Sequence, residues 1–207
     1  MRINKVEHAR KDGMMCRRCR KRILVGDPYR WIKHRRQAKI VHCTHCNFRA
    51  SELTTSEKKI QVFEMQEMLE DSLVGIGQEL DAIRYKVGVL DDADIDDQVE
   101  FDGMAEDMMV AIEDLNGQVE EAIQVAEEVS DGYRESAQNL EEYFSGSSQI
   151  DDCEMNADYI DEWKDSLSQC EVSLPKTEYH LDEIEELIED VQSVIDSVDA
   201  AVGELSL

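Results

Sequence analysis

The sequence has few of the residues that interrupt helices or fill a bulky core. Among 207 residues there are two prolines, and aromatic residues make up 6% of the chain. Because proline is the strongest helix breaker, its scarcity favours long uninterrupted helices. No run of about 18 apolar residues occurs, which argues against a membrane-spanning helix. The first residues also lack the apolar centre of a signal peptide, so we expect a cytoplasmic protein without membrane contact.

Basic residues are also scarce, and they are placed unevenly. The chain holds 22 Lys and Arg against 48 Asp and Glu, for a net charge of −26. Residues 1–50 contain 15 of the basic and 3 of the acidic residues, a charge of +12. Residues 51–207 contain the other 7 and 45, a charge of −38. This asymmetry predicts two modules with different partners.

Cysteine occurs six times, and four of the six form two close pairs with the spacing C-x2-C-x23-C-x2-C, read at Cys16, Cys19, Cys43 and Cys46. Each pair can close a tight turn that aims two thiolates at one metal ion, and two such turns make the tetrahedral sulfur site that Zn²⁺ prefers. We therefore predict one structural zinc ion with these four ligands. Four cysteines leave no open position for catalysis. A redox dithiol is the weaker alternative in a reducing cytosol.

Two histidines beside the second pair are alternative ligands. His42 precedes Cys43, and His45 precedes Cys46. The second cysteine pair already repeats the spacing of the first, so a full set of ligands exists without either ring. Hydrogen bonding near the site, or simple exposure to solvent, is the expected role of both histidines.

The residues between the cysteine pairs can form a β-hairpin. The candidate strands are Tyr29–His34 and Lys39–His42, with Arg35–Ala38 as the turn. A hairpin between two cysteine turns predicts a treble clef or a zinc ribbon. A module of about 40 residues buries too little apolar surface to fold alone, so zinc is expected to supply much of its folding energy.

A helix close to the last cysteine would favour the treble clef. The best capping box is Thr54 with Glu57, which starts a long helix eight residues after Cys46. A short helical turn at Phe48–Glu52 would bring helical structure nearer to the metal. We give the treble clef a slight preference.

The first half of the cysteine module resembles a known zinc finger. The pattern C-x2-C-x3-I-x2-G-D-P-Y-R-W, read from Cys16 to Trp31, is similar to the opening of poly(ADP-ribose) polymerase-type fingers, which bind DNA ends. That family has a His-x2-Cys pair where this chain has Cys43 and Cys46, so the resemblance does not extend to the second pair.

A closer resemblance is to small, largely uncharacterised zinc-finger proteins of tailed bacteriophages. They share a basic start, two Cys-x2-Cys pairs, a G-D-P-Y-R-W-like segment and a following S-E-L-T, which here is Ser51 to Thr54. The resemblance covers about residues 5–60. It implies zinc binding and a viral origin, and thus a location in the host cytoplasm or in the virion.

The cysteine module is rich in cations that could neutralise phosphates and release counterions. The candidate nucleic-acid contacts are Arg17, Arg18, Arg20, Lys21, Arg22, Arg30, Lys33, Arg35, Arg36 and Lys39. Tyr29, Trp31 and Phe48 could stack on exposed bases or pack around the zinc. Residues 1–50 are therefore expected to contact nucleic acid or an anionic protein surface, including the chain's own acidic part.

Over the acidic part, apolar residues repeat at steps of three and four, which predicts amphipathic helices. The first stripe comprises Leu69, Leu73, Ile76, Leu80, Ile83, Val87 and Leu90. A second helix is expected from about 99 to 144, and its inner face comprises Phe101, Met104, Met108, Ala111, Leu115, Ala122, Ala126, Val129, Tyr133, Leu140 and Phe144. Residues 145–148 are expected to form a loop.

Two further stripes follow this loop. The third comprises Cys153, Asn156, Ile160, Trp163, Leu167 and Cys170, and its helix should stop at Ser173–Pro175 or give way there to a helix that Pro175 begins. The last comprises Leu181, Ile184, Ile188, Val191, Ile195, Val198, Val202 and Leu205. Cys153 and Cys170 are expected to be buried small residues, with an intermolecular disulfide as the alternative. Asn156 could fix the register of packing.

The predicted fold is mainly α, with a small zinc-bound β-hairpin module followed by helical hairpins or an elongated coiled-coil bundle. The expected domains are 1–53, the basic cysteine module; 54–144, a long acidic helical hairpin; and 145–207, a C-terminal acidic helical hairpin. Unfilled stripes would also allow a homo-oligomer.

Enzyme motifs are missing from the sequence. There is no glycine-rich phosphate loop and no H-E-x-x-H. Asp92, Asp94 and Asp96 match early positions of a calcium loop, but Asp97 and Gly103 occupy the positions that require Gly and Glu. We expect a non-enzymatic zinc protein that contacts nucleic acid and assembles through its helices. The alternatives are an acidic DNA mimic that binds a basic host protein through residues 60–207, and a virion or scaffold component.

Overall fold

The described part of the chain forms strands first and long helices afterwards. The structure, a computed structural model, describes residues 3–34, 38–87, 95–144, 146–205 and 207. The chain divides into two compact units, Met1–Phe63 and Glu64–Leu207. The predicted fold class is confirmed: the protein is mainly helical, with a small β region that holds four cysteines close together. The three-domain division stays a prediction.

The first unit contains two small antiparallel sheets. The three-stranded sheet has the order β1-β4-β5, and the two-stranded sheet pairs β2 with β3. The strands are β1 Asn4–Val6, β2 Met14–Met15, β3 Arg22–Ile23, β4 Tyr29–Ile32 and β5 Ile40–Cys43. The hairpin of β4 and β5 is the predicted one, with Tyr29 opposite Cys43 and Ile32 opposite Ile40. Residues 35–37, in the predicted turn, lie outside the described residues.

Different residues pack against the two faces of the three-stranded sheet. Alternate side chains of β4 point to opposite faces, and Tyr29 packs with Ala9 and Ile23 in a small core that Trp31 and Val41 extend. On the other face, Ile32 and His42 are almost completely buried. Glu52, from the short helix α1 (Ala50–Leu53), reaches His42 on that face. Strand β2 contacts β5, so the first cysteine pair, which follows β2, lies beside β5.

The start of the long helix differs from the prediction. Helix α2 spans Glu57–Val87, and the backbone N–H of Lys59 donates to Ser56 Oγ at 3.5 Å. Ser56 therefore caps the helix, and the predicted capping box of Thr54 with Glu57 is wrong. Thr54 Oγ1 instead accepts a hydrogen bond from the backbone N–H of Ser56, which shapes the turn before the helix. The predicted helical turn near Phe48–Glu52 is present as α1.

The second unit packs long helices side by side. They are the remainder of α2, then α3 Ile95–Phe144, α4 Ser148–Ser168 and α5 Ile184–Val202. Ser72 of α2 bonds Gln118 of α3, and Lys86 of α2 pairs with Glu100, so these helices are antiparallel. Gln66 bonds the carbonyl of Val202, and Arg84 bonds Gln192, so α2 and α5 are also antiparallel. No helix among the described residues is long and apolar enough to cross a membrane.

The first two predicted stripes are largely correct. Leu69, Leu73, Ile76, Leu80 and Ile83 are all buried. Val87 and Leu90 lie outside the residues whose side chains are described. On α3 the buried face also includes four apolar residues absent from the predicted stripe, Ala105, Ile112, Val119 and Ala137, and the polar residue Ser130. Phe144, predicted to be inside, is 67% exposed, because it ends α3 where little of α4 lies beside it.

Helices α3 and α4 approach each other more closely than the other described helices do. Small buried residues on both helices, Ala137 and Ala157, permit this close approach. Arg134 of α3 reaches across to Asp158 and Asp161 of α4. Burial raises the pKa of the Asp161 carboxyl, but hydrogen bonds from Arg134 and Ser130 and nearby positive charges outweigh it, so the pKa is lowered overall.

We expect Asp161→Asn to destabilise the protein at neutral pH and to matter less in acid. A carboxyl whose pKa is lower in the folded state stabilises the fold above its unfolded pKa, near 3.8, and loses that contribution as the pH falls through the folded value. Urea unfolding of both proteins at pH 7 and pH 3 measures the difference. Asp165→Asn, on the exposed side of α4, is the control. An equal difference at both pH values would contradict the ion-pair origin.

The connection from α4 to α5 is not helical, which contradicts the predicted helix ends. Helix α4 ends at Ser168, before Cys170 and well before Pro175. The next helical residues are the 3-10 turn Leu181–Glu183, so Pro175 does not begin a helix. Residues 169–180 form instead a segment without regular structure. Buried Tyr179 anchors it, with its hydroxyl donating to Asp190 of α5 at 2.7 Å.

The buried face of α5 is shifted around the helix axis relative to the predicted stripe. The buried residues are Leu187, Val191, Val194, Val198, Ala201 and Val202, whereas Ile188 and Ile195 are half-buried at its edge. Cys153 and Cys170 are also half-buried, so the prediction that they are buried is wrong. The proposed roles of Asn156 in register and of an intermolecular disulfide stay predictions.

Candidate metal centre

The four paired cysteines meet at one point in the first unit. All four Sγ atoms of Cys16, Cys19, Cys43 and Cys46 lie within 4.8 Å of one another. The Sγ atoms of Cys19 and Cys43 are 3.8 Å apart. A tetrahedral zinc site with bonds of about 2.3 Å has sulfur–sulfur edges of about 3.8 Å. The cluster can therefore hold a metal ion, and its size and donor set are consistent with zinc.

Backbone hydrogen bonds position both cysteine pairs. Cys16 follows β2, and its N–H donates to the carbonyl of Lys21 at 2.9 Å, while the N–H of Arg20 returns to the carbonyl of Cys16. Cys43 ends β5, and the N–H of Cys46 donates to its carbonyl at 3.3 Å. The first knuckle, residues 16–22, is tied to β5 by the Arg17 N–H, which donates to the carbonyl of Val41. These backbone hydrogen bonds hold the two turns in place and so bring the four thiols together.

The thiols affect one another electrostatically. Burial raises the pKa of the Cys16 thiol, but hydrogen bonds from the backbone of Cys19, Cys43 and Arg18 outweigh it and lower the pKa to about 6. Burial and the neighbouring thiols raise the pKa of Cys46 to about 12. One thiolate forms easily and then opposes ionisation of the next. A bound dication removes this repulsion, so the cluster has the electrostatics of a cation site.

Arg30 supports the second cysteine turn. Its Nη2 atom donates to the carbonyl of Cys46 at 2.7 Å, to the carbonyl of Thr44 at 3.1 Å, and to the side-chain oxygen of Asn47 at 3.2 Å. Lys39 lies over the ring of Trp31, with its Nζ 3.9 Å from the ring centroid. Both cations therefore have partners within the module.

Glu52 organises the face of the sheet behind the cysteines. Its Oε1 is 3.1 Å from Nε2 of His42, its carbonyl oxygen is 2.7 Å from Nε2 of His34, and its Oε2 accepts from the backbone N–H of Arg49. The His42 ring also packs against Phe48, with the centroids 4.6 Å apart. His42 and exposed His45 are not in the metal-binding group found among the described residues. No local sequence pattern connects Glu52 with His34 or His42, so these contacts were not predicted.

The predicted nucleic-acid residues lie in different environments. Those of the first knuckle are all exposed: Arg17, Arg18, Arg20, Lys21 and Arg22. Lys33 and Lys39 are also exposed, although Lys39 lies over the ring of Trp31, whereas Arg30 is half-buried. Arg35 and Arg36 lie outside the described residues. Of the aromatic residues, Tyr29 is buried and Trp31 and Phe48 are half-buried.

Arg20 has a left-handed backbone conformation, with a φ of 57°. It occupies the last residue of the turn that starts at Cys16, where the chain reverses. A side chain in this region costs about 1–2 kcal/mol, and only glycine adopts it freely. The turn therefore keeps an arginine at a position where glycine would be less strained.

We expect Arg20→Gly to stabilise the first unit by about 0.5–1 kcal/mol, because strain is removed while glycine adds chain entropy to the unfolded state. Arg20→Val should destabilise it, since a β-branched residue tolerates this conformation poorly. Resistance of the bound metal to a competing chelator measures the change. Equal metal retention in the two variants would show that the backbone conformation is not under strain.

The partial calcium-loop match at Asp92, Asp94 and Asp96 gains no support from the described residues. Asp92 and Asp94 lie outside them, and Asp96 and Asp97 fall in the first turn of α3. Within the described part, the cysteine cluster is the one group of three or more possible ligands close enough to share a metal.

Comparison with models of protein families, with curated proteins and with solved structures finds no match to this chain.

Proposed function

We propose that this chain is a non-enzymatic protein in which one structural zinc ion, held by Cys16, Cys19, Cys43 and Cys46, supports a nucleic-acid-binding surface. The surface is the first knuckle. Four cysteines complete the coordination of zinc and leave no position for substrate. The helical unit would serve for association with other proteins.

The exposure of the first knuckle carries this proposal. Its five cations occupy six consecutive residues, from Arg17 to Arg22, and all are exposed. Arg17 lies 3.7 Å from Glu52, and its side chain is still 63% exposed. Arg30, by contrast, is half-buried with contacts inside the module, and exposed Lys39 lies over the ring of Trp31. The phosphate contacts are therefore assigned to the knuckle, where guanidinium groups can bind phosphates in bidentate fashion.

Stacking of bases on aromatic rings has little support. Tyr29 is buried, Trp31 is covered by Lys39, and Phe48 packs on His42. Binding through phosphates alone is tolerant of sequence and depends strongly on salt. We therefore expect affinity for many sequences, with a steep loss as the salt concentration rises.

A salt titration of the full-length, zinc-loaded protein tests this proposal. Fluorescence anisotropy with a labelled DNA duplex should give a log–log slope that becomes shallower by about 2–3 in the variant Arg18→Gln/Arg20→Gln/Lys21→Gln, because each lost phosphate contact contributes about 0.9. Lys5→Gln, an exposed cation on β1, is the control and should change the slope little. Absence of binding at low salt by the zinc-loaded wild type would contradict the proposal.

A second proposal concerns the acidic helices. Residues 135–163 contain nine acidic residues and no Lys, Arg or His. This end of the α3–α4 hairpin also exposes Tyr143 and Phe144. A dense array of carboxylates can imitate nucleic-acid phosphates, so residues 60–207 would bind a basic protein such as a DNA-binding or defence protein of a host. Recovery of only neutral or acidic proteins in a pull-down would contradict this proposal.

Self-association in a virion or scaffold is the other role proposed for the helices. Exposed Met155 and Tyr159 on α4 add to the apolar surface near the hairpin end. Light scattering over a range of concentrations distinguishes the two proposals. A strict monomer at high concentration would count against self-association and leave the basic-partner proposal intact.

A further inference from the structure

Exposed aliphatic residues flank the first knuckle in sequence. Met15 is 55% exposed, Leu24 is 52% exposed and Val25 is 59% exposed. In the two-stranded sheet, Met14 lies opposite Ile23, and Met15 lies opposite Arg22. Ile23 is buried in the core, so Met15 and Arg22 point outwards from the same face. Leu24 and Val25 are adjacent in the chain and similarly exposed, which makes this pair a candidate contact surface.

The backbone that presents Leu24 and Val25 is fixed by hydrogen bonds. The Leu24 N–H donates to the Asp27 carboxylate at 2.9 Å, and the Val25 N–H donates to the Asp12 carboxylate at 2.8 Å. The Gly26 N–H donates to the carbonyl of Ala9 at 2.9 Å. Gly26 has a φ of 94°, which closes the turn and which other residues rarely adopt.

A fixed turn with two aliphatic residues at its surface is preorganised for insertion into another molecule, because little conformational entropy is lost on binding. The neighbouring cations determine which molecule. Arg17, Arg20, Lys21 and Arg22 are exposed next to the turn in sequence, so an anionic partner is favoured. Membrane binding strengthens with the apolar area buried, and three aliphatic side chains offer little area.

Duplex DNA suits this combination of groups. Proteins that bend DNA contact its backbone with arginine and lysine and insert aliphatic side chains between base pairs, which kinks the helix by about 20–90°. The cations of the first knuckle and the aliphatic residues of the following turn are separated only by the two-residue strand β3, and the knuckle exposes no aromatic ring for stacking on single strands.

We propose that Leu24 and Val25 form a wedge that inserts between base pairs of a DNA duplex, while the arginines of the first knuckle hold the flanking phosphates. The inference rests on the proposed nucleic-acid binding and adds the substrate class, duplex DNA, and the result of binding, a bend.

Energy transfer between dyes at the two ends of a short duplex tests the wedge. The zinc-loaded, full-length wild type should raise the transfer efficiency at saturation. The variant Leu24→Ser/Val25→Ser should bind about tenfold more weakly, because apolar burial is lost, with an unchanged salt slope and the transfer efficiency of free DNA. Ile3→Ser removes an aliphatic residue that is 42% exposed outside the wedge, and it should bend DNA like the wild type.

The outcomes separate the two proposals. Binding of the wild type without a change in transfer, or equal bending by the serine variant, overturns the wedge and leaves phosphate binding intact. No binding at low salt overturns both. Tighter binding of the wild type to vesicles of anionic phospholipid than to DNA, lost in the serine variant, assigns the turn to membranes and overturns the wedge. If the serine variant does not retain one zinc per chain, Leu24→Ala and Val25→Ala replace it, and undiminished bending by both overturns the wedge.

Discussion

Replacing Cys16 with serine is expected to abolish zinc binding and to unfold residues 3–63. The cluster of Ala9, Ile23 and Tyr29 covers one face of the sheet and Ile32 is buried on the other, which is a small apolar core for a unit of this length. Zinc bound to four cysteines supplies about 10–16 kcal/mol of folding free energy in comparable small domains. Loss of one ligand removes most of this energy, and the remaining thiols repel one another when ionised.

Metal analysis and nuclear magnetic resonance spectra of the full-length protein measure this result. The wild type should contain one zinc per chain, and the variant should lose the dispersed backbone signals of the strands while the helical circular dichroism signal largely remains. Cys153→Ser and Cys170→Ser are matched controls, since both residues lie outside the cluster. A Cys16→Ser protein that keeps zinc and its strand signals would refute the four-cysteine site.

Trp163→Ala is expected to destabilise the helical unit by about 3–5 kcal/mol. Trp163 of α4 is 1% exposed and is the largest fully buried side chain described. Its truncation removes apolar contacts and leaves a cavity that the packed helices cannot fill. Since small domains are stable by only about 5–15 kcal/mol, this loss is a large part of the total.

Trp163→Phe should cost less than Trp163→Ala, because phenylalanine keeps part of the apolar volume and leaves a smaller cavity. The Trp163 Nε1 atom is buried without a hydrogen-bond partner among the described residues, so phenylalanine loses no hydrogen bond there. Met155→Ala on the same helix is the control and should stay within about 0.5 kcal/mol, because Met155 is 48% exposed. Urea unfolding followed by helical circular dichroism gives all three values. Similar losses for Trp163→Ala and Met155→Ala would show that α4 does not pack as described.

The fold class could be predicted because it depends on patterns that are local in sequence. Alternating steps of three and four place Leu69, Leu73 and Ile76 on one side of any helix that contains them, whatever its neighbours are. The spacing of Cys16 and Cys19 similarly allows only a tight turn with both thiols on one side.

The predicted start of α2 was wrong by two residues, because Thr54 and Ser56 can both cap a helix and local chemistry does not choose between them.

The packing of α5 shows where a local pattern stops being sufficient. Apolar residues occur at Ile184, Leu187, Ile188, Val191, Val194 and Ile195, so the apolar stripe is too wide to have a unique centre. The neighbouring elements determine which part is buried, and they bury Leu187 and Val194. The bond from Tyr179 to Asp190 is likewise a tertiary contact, and it accompanies a connection that the sequence suggested would be helical.

The sequence alone determined the charge division, the long helices and the four candidate zinc ligands, because each follows from composition or from spacing within a few residues. Tertiary structure decided which cations are exposed and can contact phosphates. Arg17, Arg18, Arg20, Lys21 and Arg22 are exposed, whereas half-buried Arg30 contacts the second cysteine turn and exposed Lys39 lies over the ring of Trp31. These partners are far apart in the chain, so only folding brings them together. The same folding leaves Leu24 and Val25 at the surface.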